Sequence, residues 1–83
     1  MSGFDQPQIY KETFFPPPFR IYNILNEFAS YYPRKIKLKD GFYIEENNEW
    51  LCIRVSSTKS MIRIMGEGKN LRDNLNQQKE IIL

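Results

Sequence analysis

The sequence predicts an α+β fold in which an antiparallel sheet of about four strands carries two helices on one face. Short apolar runs with alternating side chains follow one another between residues 35 and 67, separated by brief turns. Strands this close together in sequence pair antiparallel. One segment before these runs and one after them have apolar residues at helical spacing. Because each helix must bury an apolar stripe, both are expected to pack on the same side of the sheet.

The first strand is expected within residues 8–14, QIYKETF, where side chains alternate in character. The prolines at 16–18 end it, because proline lacks the N–H group that a strand ladder needs. Residues 1–6 are small, polar and limited by a proline, and we expect them to form a flexible lead-in. Residues 7–83 are expected to form a single domain, because a chain of this length has room for one core.

The first helix is expected in the segment FRIYNILNEFASYY, residues 19–32. Its apolar side chains recur at intervals of three and four, which is the period of an amphipathic helix. Pro33 ends the segment, because the residue before a proline disfavours helical backbone angles. The apolar residues of this stripe are Ile21, Ile24, Leu25, Phe28 and Ala29.

Four further strand candidates and a second helix follow. Turn signals separate the strands at Asp40-Gly41 and Asn47-Asn48, since these residue types favour tight turns. The closing segment, residues 70–83, has apolar residues available to pack back on the sheet as a helix. In chain order the strand candidates are KIKL, FYIEE, EWLCIRV and MIRIMGE, of which the last two are the strongest.

The composition excludes several classes of function. The net charge of +2 is too small to indicate a nucleic-acid or membrane partner by itself. The chain has no histidine, and its single cysteine, Cys52, cannot form an internal disulfide and is expected to be buried. No apolar run reaches the roughly 18 residues of a membrane span, and the first residues show no signal peptide. We therefore expect a cytoplasmic setting, with no catalytic or metal-binding residues in this chain.

The segment IRVSSTK, residues 53–59, is the clearest candidate for a binding site. Hydroxyl groups and backbone N–H groups of such a loop can donate to an anion, and an arginine fork matches two oxygens of one phosphate. A plain hairpin loop beside a solvated arginine also fits these residues. The predicted phosphate-binding residues are Arg54, Ser56, Ser57, Thr58 and Lys59.

This segment resembles the phosphate-binding loop in the last domain of the α-D-phosphohexomutases, the family of phosphomannomutase, phosphoglucomutase and phosphoglucosamine mutase. The pattern Arg-x-Ser-Ser-Thr at 54–58 matches the family's Arg-x-Ser-(Gly or Asn)-Thr, and Ile-Arg-Ile at 62–64 continues in register. Met-Gly-Glu-Gly at 65–68 is similar to the ending of the phosphoglucosamine mutase branch. Asp40-Gly41 and Trp50 occupy further family positions, so the resemblance covers residues 7–83.

The resemblance implies a domain that clamps the non-reacting phosphate of a hexose phosphate while other domains transfer the phosphoryl group. The expected partners are a phosphosugar or phosphate anion and, if the chain is part of a mutase, the remaining domains. The family's phosphoserine loop and Mg²⁺ site lie in those other domains, so the isolated chain is expected to be inactive and to hold no cofactor. Lys59-Ser60 replaces the family's Glu-Pro or Thr-Pro.

Two alternatives remain open at this point. The chain could bind nucleic acid through a basic stripe with nearby aromatic residues, although lysines on an exposed strand serve solubility equally well. It could also be a scaffold domain whose phosphate loop has degenerated. Trp50 is expected to lie in the core under any of these interpretations. The stripe comprises Arg34, Lys35, Lys37 and Lys39, and its aromatic neighbours are Tyr31, Tyr32, Phe42 and Tyr43.

Overall fold

The computed structural model describes residues 9–83, which form five strands and two α-helices. The lead-in expected at residues 1–6 and the expected strand start at Gln8 lie outside the described residues. The elements in chain order are β1 (Ile9–Phe14), a single 3₁₀ turn (Pro18–Arg20), α1 (Ile21–Ala29), β2 (Ile36–Leu38), β3 (Gly41–Glu46), β4 (Glu49–Ser56), β5 (Met61–Glu67) and α2 (Lys69–Ile82).

All five strands belong to one antiparallel sheet with the order β1-β5-β4-β3-β2. Tight connections join β2 to β3, β3 to β4 and β4 to β5, while β1 pairs with the outer side of β5. The predicted α+β class is confirmed. The sheet has five strands, one more than the overall expectation of about four, and each of the five strand candidates in the sequence corresponds to one of them.

Both helices cover the same face of the sheet, as the sequence predicts. Their apolar stripes pack on alternate residues of β3, β4 and β5, because side chains in a strand point to opposite faces in turn. The buried core consists of Ile21, Ile24, Leu25, Phe28, Tyr32, Phe42, Ile44, Leu51, Ile53, Val55, Ile62, Ile64, Leu71, Leu75 and Ile82.

The helix α1 is shorter than the predicted segment at both ends. The prolines lead into a 3₁₀ turn before it, and after Ala29 the chain tightens, with the N–H of Tyr31 donating to the carbonyl of Phe28 at 3.2 Å. This tightening turns Tyr32 into the core, where its hydroxyl donates to Oε1 of Gln78 in α2 at 2.8 Å. The buried amide of Gln78 is thereby satisfied on its oxygen, as buried polar groups require.

The start of α2 is held by a carboxylate from the start of β4. Oε1 of Glu49 accepts a hydrogen bond from the N–H of Leu71 at 2.7 Å, which satisfies one of the free donors of the helix N-terminus. Gly68 precedes the helix with a φ of 121°, and a Cβ at that position would lie 2.3 Å from the Glu49 side chain. Glycine is therefore needed for both the backbone angle and the space.

The edge strand β1 is fixed to the rest of the domain by two side-chain contacts. Nζ of Lys79 in α2 lies 2.6 Å from both carboxylate oxygens of Glu12. The Tyr10 side chain lies across Gly66 of β5, where a Cβ would come within 2.4 Å of the tyrosine hydroxyl.

Neither described helix is both long and apolar enough to cross a membrane.

Candidate functional site

The candidate site lies at one end of the sheet, where β4 turns into β5. Ser56 pairs with Met61, and residues 57–60 make the connection without a glycine. Ser60 adopts a φ of 50°, a left-handed angle that costs a residue with a side chain about 1 kcal/mol or more. Proline, which the similar mutase loops carry at this place, is locked near −65° and could not follow this path. A loop that carried the proline of the mutase pattern at this position would therefore follow a different course.

Two arginines stand directly opposite each other beside this loop. Arg54 of β4 and Arg63 of β5 are Cα partners, and both side chains lie on the face of the sheet away from the helices. Like charges at such a pair of positions are destabilising. Within residues 9–83, neither guanidinium forms an ion pair. A bound anion would relieve this repulsion.

The arginines border an open depression of about 300 Å³ between the strand ends and the loop. The depression is large enough to hold a phosphate group with part of an attached organic group. Its wall carries three cationic side chains and one carboxylate, a balance that suits a dianion. The lining residues are Asp40, Arg54, Val55, Ser56, Lys59, Met61 and Arg63.

The structure brings together three of the five predicted site residues. Arg54, Ser56 and Lys59 line the depression, whereas Ser57 and Thr58 lie exposed in the loop and do not line it. Oγ1 of Thr58 is 3.2 Å from Oγ of Ser56, within hydrogen-bonding distance. Thr58 can therefore orient the Ser56 hydroxyl without itself facing the depression.

Arg63 is the residue that the sequence interpretation omits from the site. The alternation in MIRIM places Arg63 on the solvent side of its strand, but only the pairing register shows that it stands opposite Arg54. That register depends on where the β4–β5 connection begins and ends. Once Ser56 and Met61 are known to be partners, counting two residues along each strand gives Arg54 opposite Arg63.

The turn at Asp40-Gly41 closes the depression from the β3 side. The carbonyl of Asp40 accepts a hydrogen bond from the N–H of Val55 at 2.8 Å. Gly41 is required here, because a Cβ on it would lie 1.9 Å from the carbonyl oxygen of Ile53. The backbone contact brings the Asp40 carboxylate to the rim, where it offsets part of the positive charge.

Two of the four aromatic residues near the basic stripe considered for nucleic acid lie in the core, whereas Tyr31 is exposed beside Arg34. Tyr32 and Phe42 are buried, at 4% and 1% exposure, and their rings pack on each other in the core. Tyr43 lies on the opposite face of the sheet from Lys37, whose neighbours line a separate depression of about 230 Å³ against α1. Lys35, Lys37 and Lys39 line this depression together with Phe42, whose ring is buried and offers no free face to a base.

Trp50 and Cys52 are not core residues, and the expectation that they are buried is wrong for both. Strand alternation buries Leu51 and leaves both residues half-buried on the face opposite the helices. The Trp50 ring stacks on Tyr43 with centroids 6.4 Å apart, and its Nε1 donates to Oε1 of Glu67 at 2.9 Å. Partial burial raises the pKa of the Cys52 thiol, and the nearby Arg54 lowers it by less.

No family model, no curated protein and no solved structure matches this chain. Within residues 9–83 no group of three or more histidine, cysteine, aspartate or glutamate side chains is placed to hold a metal ion. The functional assignment therefore depends on the chemistry of the depression and on the motif residues that carry the resemblance to the mutases.

Proposed function

We propose that this domain binds the phosphate group of a hexose phosphate in the depression at the β4–β5 connection, as the phosphate-binding domain of a phosphosugar mutase. The observation that carries the proposal is the cross-strand pair of Arg54 and Arg63, which share one face with no carboxylate bridging them in the described part of the chain. Ser56 and Lys59 complete the donor set around the same space.

Each of these groups contributes a contact that phosphate uses. A guanidinium can donate two parallel hydrogen bonds to two phosphate oxygens, and the Lys59 ammonium adds a point charge. The Ser56 hydroxyl adds a neutral donor that Thr58 can orient. A hydrogen bond to a charged group is worth about 1.5–3 kcal/mol, so a few of them hold a phosphate at a site open to water.

Within a mutase, this domain would grip the phosphate that does not react. Such a grip orients the sugar and lets a closing domain exclude water from the reaction. The intermediate of this family must turn around between two half-reactions, so the clamp has to recognise phosphate and ignore the orientation of the ring. The transfer itself requires the phosphoserine loop and Mg²⁺ of other domains, and this chain alone is not expected to catalyse it.

The proposal predicts that affinity follows the phosphate and not the sugar. Glucose 1-phosphate, glucose 6-phosphate and mannose 1-phosphate should bind with dissociation constants within about threefold of one another, because only the phosphate is contacted. Isothermal titration calorimetry or chemical shift titration measures these constants, with unphosphorylated glucose as the control ligand. No binding of any of the three at 20 mM, about the weakest affinity that would support a clamp, would favour the scaffold alternative.

A further inference from the structure

The face of the sheet away from the helices presents its side chains in three rows that cross the strands. The register sets these rows, because Cα partners on neighbouring antiparallel strands point their side chains to the same face. The middle row is mostly apolar. Its members on β3, β4 and β5 are half-buried, and Ile36 on β2 is 59% exposed. No other element within residues 9–83 covers these side chains completely. From β1 to β2 this central row is Lys11, Met65, Cys52, Tyr43 and Ile36.

The two rows that flank the central row have opposite character. The basic row, on the side of the β4–β5 connection, has Arg63 and Arg54 at its centre. The acidic row, on the other side, contains Glu67, Trp50 and Glu45 on neighbouring strands. The central row thus separates cations from carboxylates on one accessible surface.

Apart from Lys11 at the edge of the sheet, which comes to face its own counterpart, this arrangement is complementary to itself under a two-fold rotation. Suppose that two copies face each other and the rotation axis runs along the central row between the sheets. The rotation places each strand opposite the same strand of the second copy and reverses its direction. Arg63 of β5 therefore comes to face Glu67 of β5 in the second copy. By the same operation Arg54 faces Trp50 of the second copy, while Met65 and Cys52 meet their own counterparts.

We propose that this chain forms a homodimer in which the open faces of two sheets pack together about this axis. The axis doubles every contact, giving two Arg63–Glu67 ion pairs and two contacts between Arg54 and the Trp50 ring. The apolar central rows are buried between the sheets, which lie about 10 Å apart in such packing. The contact surface is isologous, so the pair closes and does not extend into a fibre.

The size of the face predicts a weak dimer. Five strands spaced about 4.8 Å apart and about 20 Å long cover about 500 Å² in each copy. The total buried area of about 1,000 Å² is at the lower limit for specific interfaces. We therefore expect dimers at concentrations of about 100 µM and above, and monomers after dilution to about 1 µM.

The charge pattern favours a second copy over single-stranded nucleic acid as the occupant. A stacking platform for nucleic acid combines exposed aromatic rings with a groove of one positive sign. Here the aromatic pair Tyr43 and Trp50 lies beside Glu67, which accepts the tryptophan N–H, and beside Glu45. These carboxylates repel phosphates where a base would stack, but they match the arginines of a second copy.

A charge exchange tests the dimer directly. Arg63→Glu and Glu67→Arg should each weaken self-association at least tenfold, because each variant places two like-charged pairs in the interface. The double variant restores opposite charges across the axis, and its dissociation constant should return to within about threefold of the wild type. Sedimentation equilibrium in phosphate-free, low-salt buffer measures these values, with circular dichroism to verify folding. A wild type that stays monomeric at 500 µM, or a double variant as weak as the single ones, overturns the proposal.

Cross-linking of the unaltered chain provides a second test that depends on no substitution. Cys52 is the only cysteine and lies on the proposed axis, so a bismaleimide with a two-carbon spacer should join two copies at 200 µM. A Cys52→Ser/Asn23→Cys variant is the matched control, because residue 23 is exposed on α1, away from the open face. Equal cross-linking of both proteins, or gel-shift binding of an oligonucleotide by a monomer, contradicts the dimer.

The dimer goes beyond the proposed phosphate site and can fail independently of it, although both use Arg54 and Arg63. Lys59→Ala should weaken the binding of inorganic phosphate and leave the dissociation constant of the dimer unchanged, since Lys59 lies outside the three rows. Glu67→Arg should weaken the dimer and leave the binding of inorganic phosphate to the monomer unchanged. If both variants change both properties equally, the two surfaces are not distinct and the proposal is wrong.

Discussion

Arg63 is the residue at which the proposed binding role and the stability of the fold are expected to oppose each other. Its guanidinium stands opposite that of Arg54 without an ion-pair partner among residues 9–83. A folded protein gains nothing from this contact in the absence of a ligand, since like charges at directly opposite positions repel. The pair is therefore a cost to the fold that a bound anion would offset.

Arg63→Ala should therefore change binding and stability in opposite directions. The dissociation constant for inorganic phosphate should rise about 10- to 100-fold, which corresponds to the loss of one charge-assisted hydrogen bond. In phosphate-free buffer the free energy of unfolding should rise by about 0.2–1 kcal/mol, because the repulsion is removed. Phosphate titration and urea denaturation measure the two effects at a protein concentration that keeps the chain monomeric.

Lys37→Ala provides the control for this substitution. Lys37 is also an exposed cation on a strand, but it lies on β2 near α1 and away from the depression. Neither phosphate affinity nor stability should change by more than a few tenths of a kcal/mol. A loss of stability in Arg63→Ala, with unchanged phosphate binding, would mean that the arginine pair is structural.

Tyr10 has a buried hydroxyl without a hydrogen-bond partner among the described residues. Burial raises the pKa of Tyr10 to about 12. An unfolded tyrosine loses its proton near pH 10, so between about pH 10 and pH 12 the folded state binds more protons than the unfolded state. Stability must then fall as the pH rises through that window, whereas below it this group contributes no pH dependence.

Tyr10→Phe should stabilise the domain, and by more at high pH. At pH 8 the expected gain is about 1 kcal/mol, because the variant no longer buries an unpaired hydroxyl. The gain should increase from pH 9 to pH 11, because Tyr10 ionises in the unfolded wild type but stays protonated in the folded wild type, and this lowers the stability of the wild type alone. Denaturation curves at several pH values measure it, and Tyr22→Phe, an exposed tyrosine on α1, should show no gain at pH 8. If the difference in the free energy of unfolding between Tyr10→Phe and the wild type stayed constant across the pH range, the pKa of Tyr10 would not be raised in the folded state.

At the scale of elements, the strands could be predicted from the sequence and their register could not. Alternation and turn residues identify all five strands, because local backbone preference and burial agree there. The run EWLCIRV is apolar at both parities, so the pattern did not show which side is buried, and Trp50 and Cys52 were assigned to the core wrongly. Three of the predicted loop residues do line the depression, but Arg63 joins them only through pairing with another strand.

The contact between β4 and α2 also depends on residues far apart in sequence. Glu49 reaches the N–H of Leu71, 22 positions later, and satisfies a donor at the start of the helix. Nothing in the local sequence of α2 indicates this cap, because Gly68 before it has no side chain to act as one. This hydrogen bond therefore couples the start of β4 to the start of α2.

Glu49→Ala should lower the free energy of unfolding by about 1 kcal/mol, which is the usual cost of losing a side-chain cap. The favourable charge at the positive end of the helix is lost with it. Urea denaturation measures the change. Glu80→Ala, at an exposed position of the same helix, is the matched control and should stay within about 0.5 kcal/mol of the wild type. Equal effects of the two substitutions would show that the cap contributes nothing.

At the scale of the whole molecule, the two layers divide the roles of the chain. The helices and the buried residues of the sheet supply the core, and the open face is left to carry charge and aromatic rings. The proposed phosphate site and the proposed dimer surface share Arg54 and Arg63, so binding at one must oppose binding at the other. By linkage, phosphate should dissociate the dimer by the same factor by which dimerisation weakens phosphate binding.

An NMR titration with inorganic phosphate tests whether the depression at the β4–β5 connection is an anion site. We expect saturable shifts of the backbone amides at residues 56–60 and of the Nε resonances of Arg54 and Arg63, with glucose as a silent control. The amides around Lys37 should not move. Absence of shifts at about 20 mM phosphate, or equal shifts at all basic residues, would show that the depression is not a specific anion site.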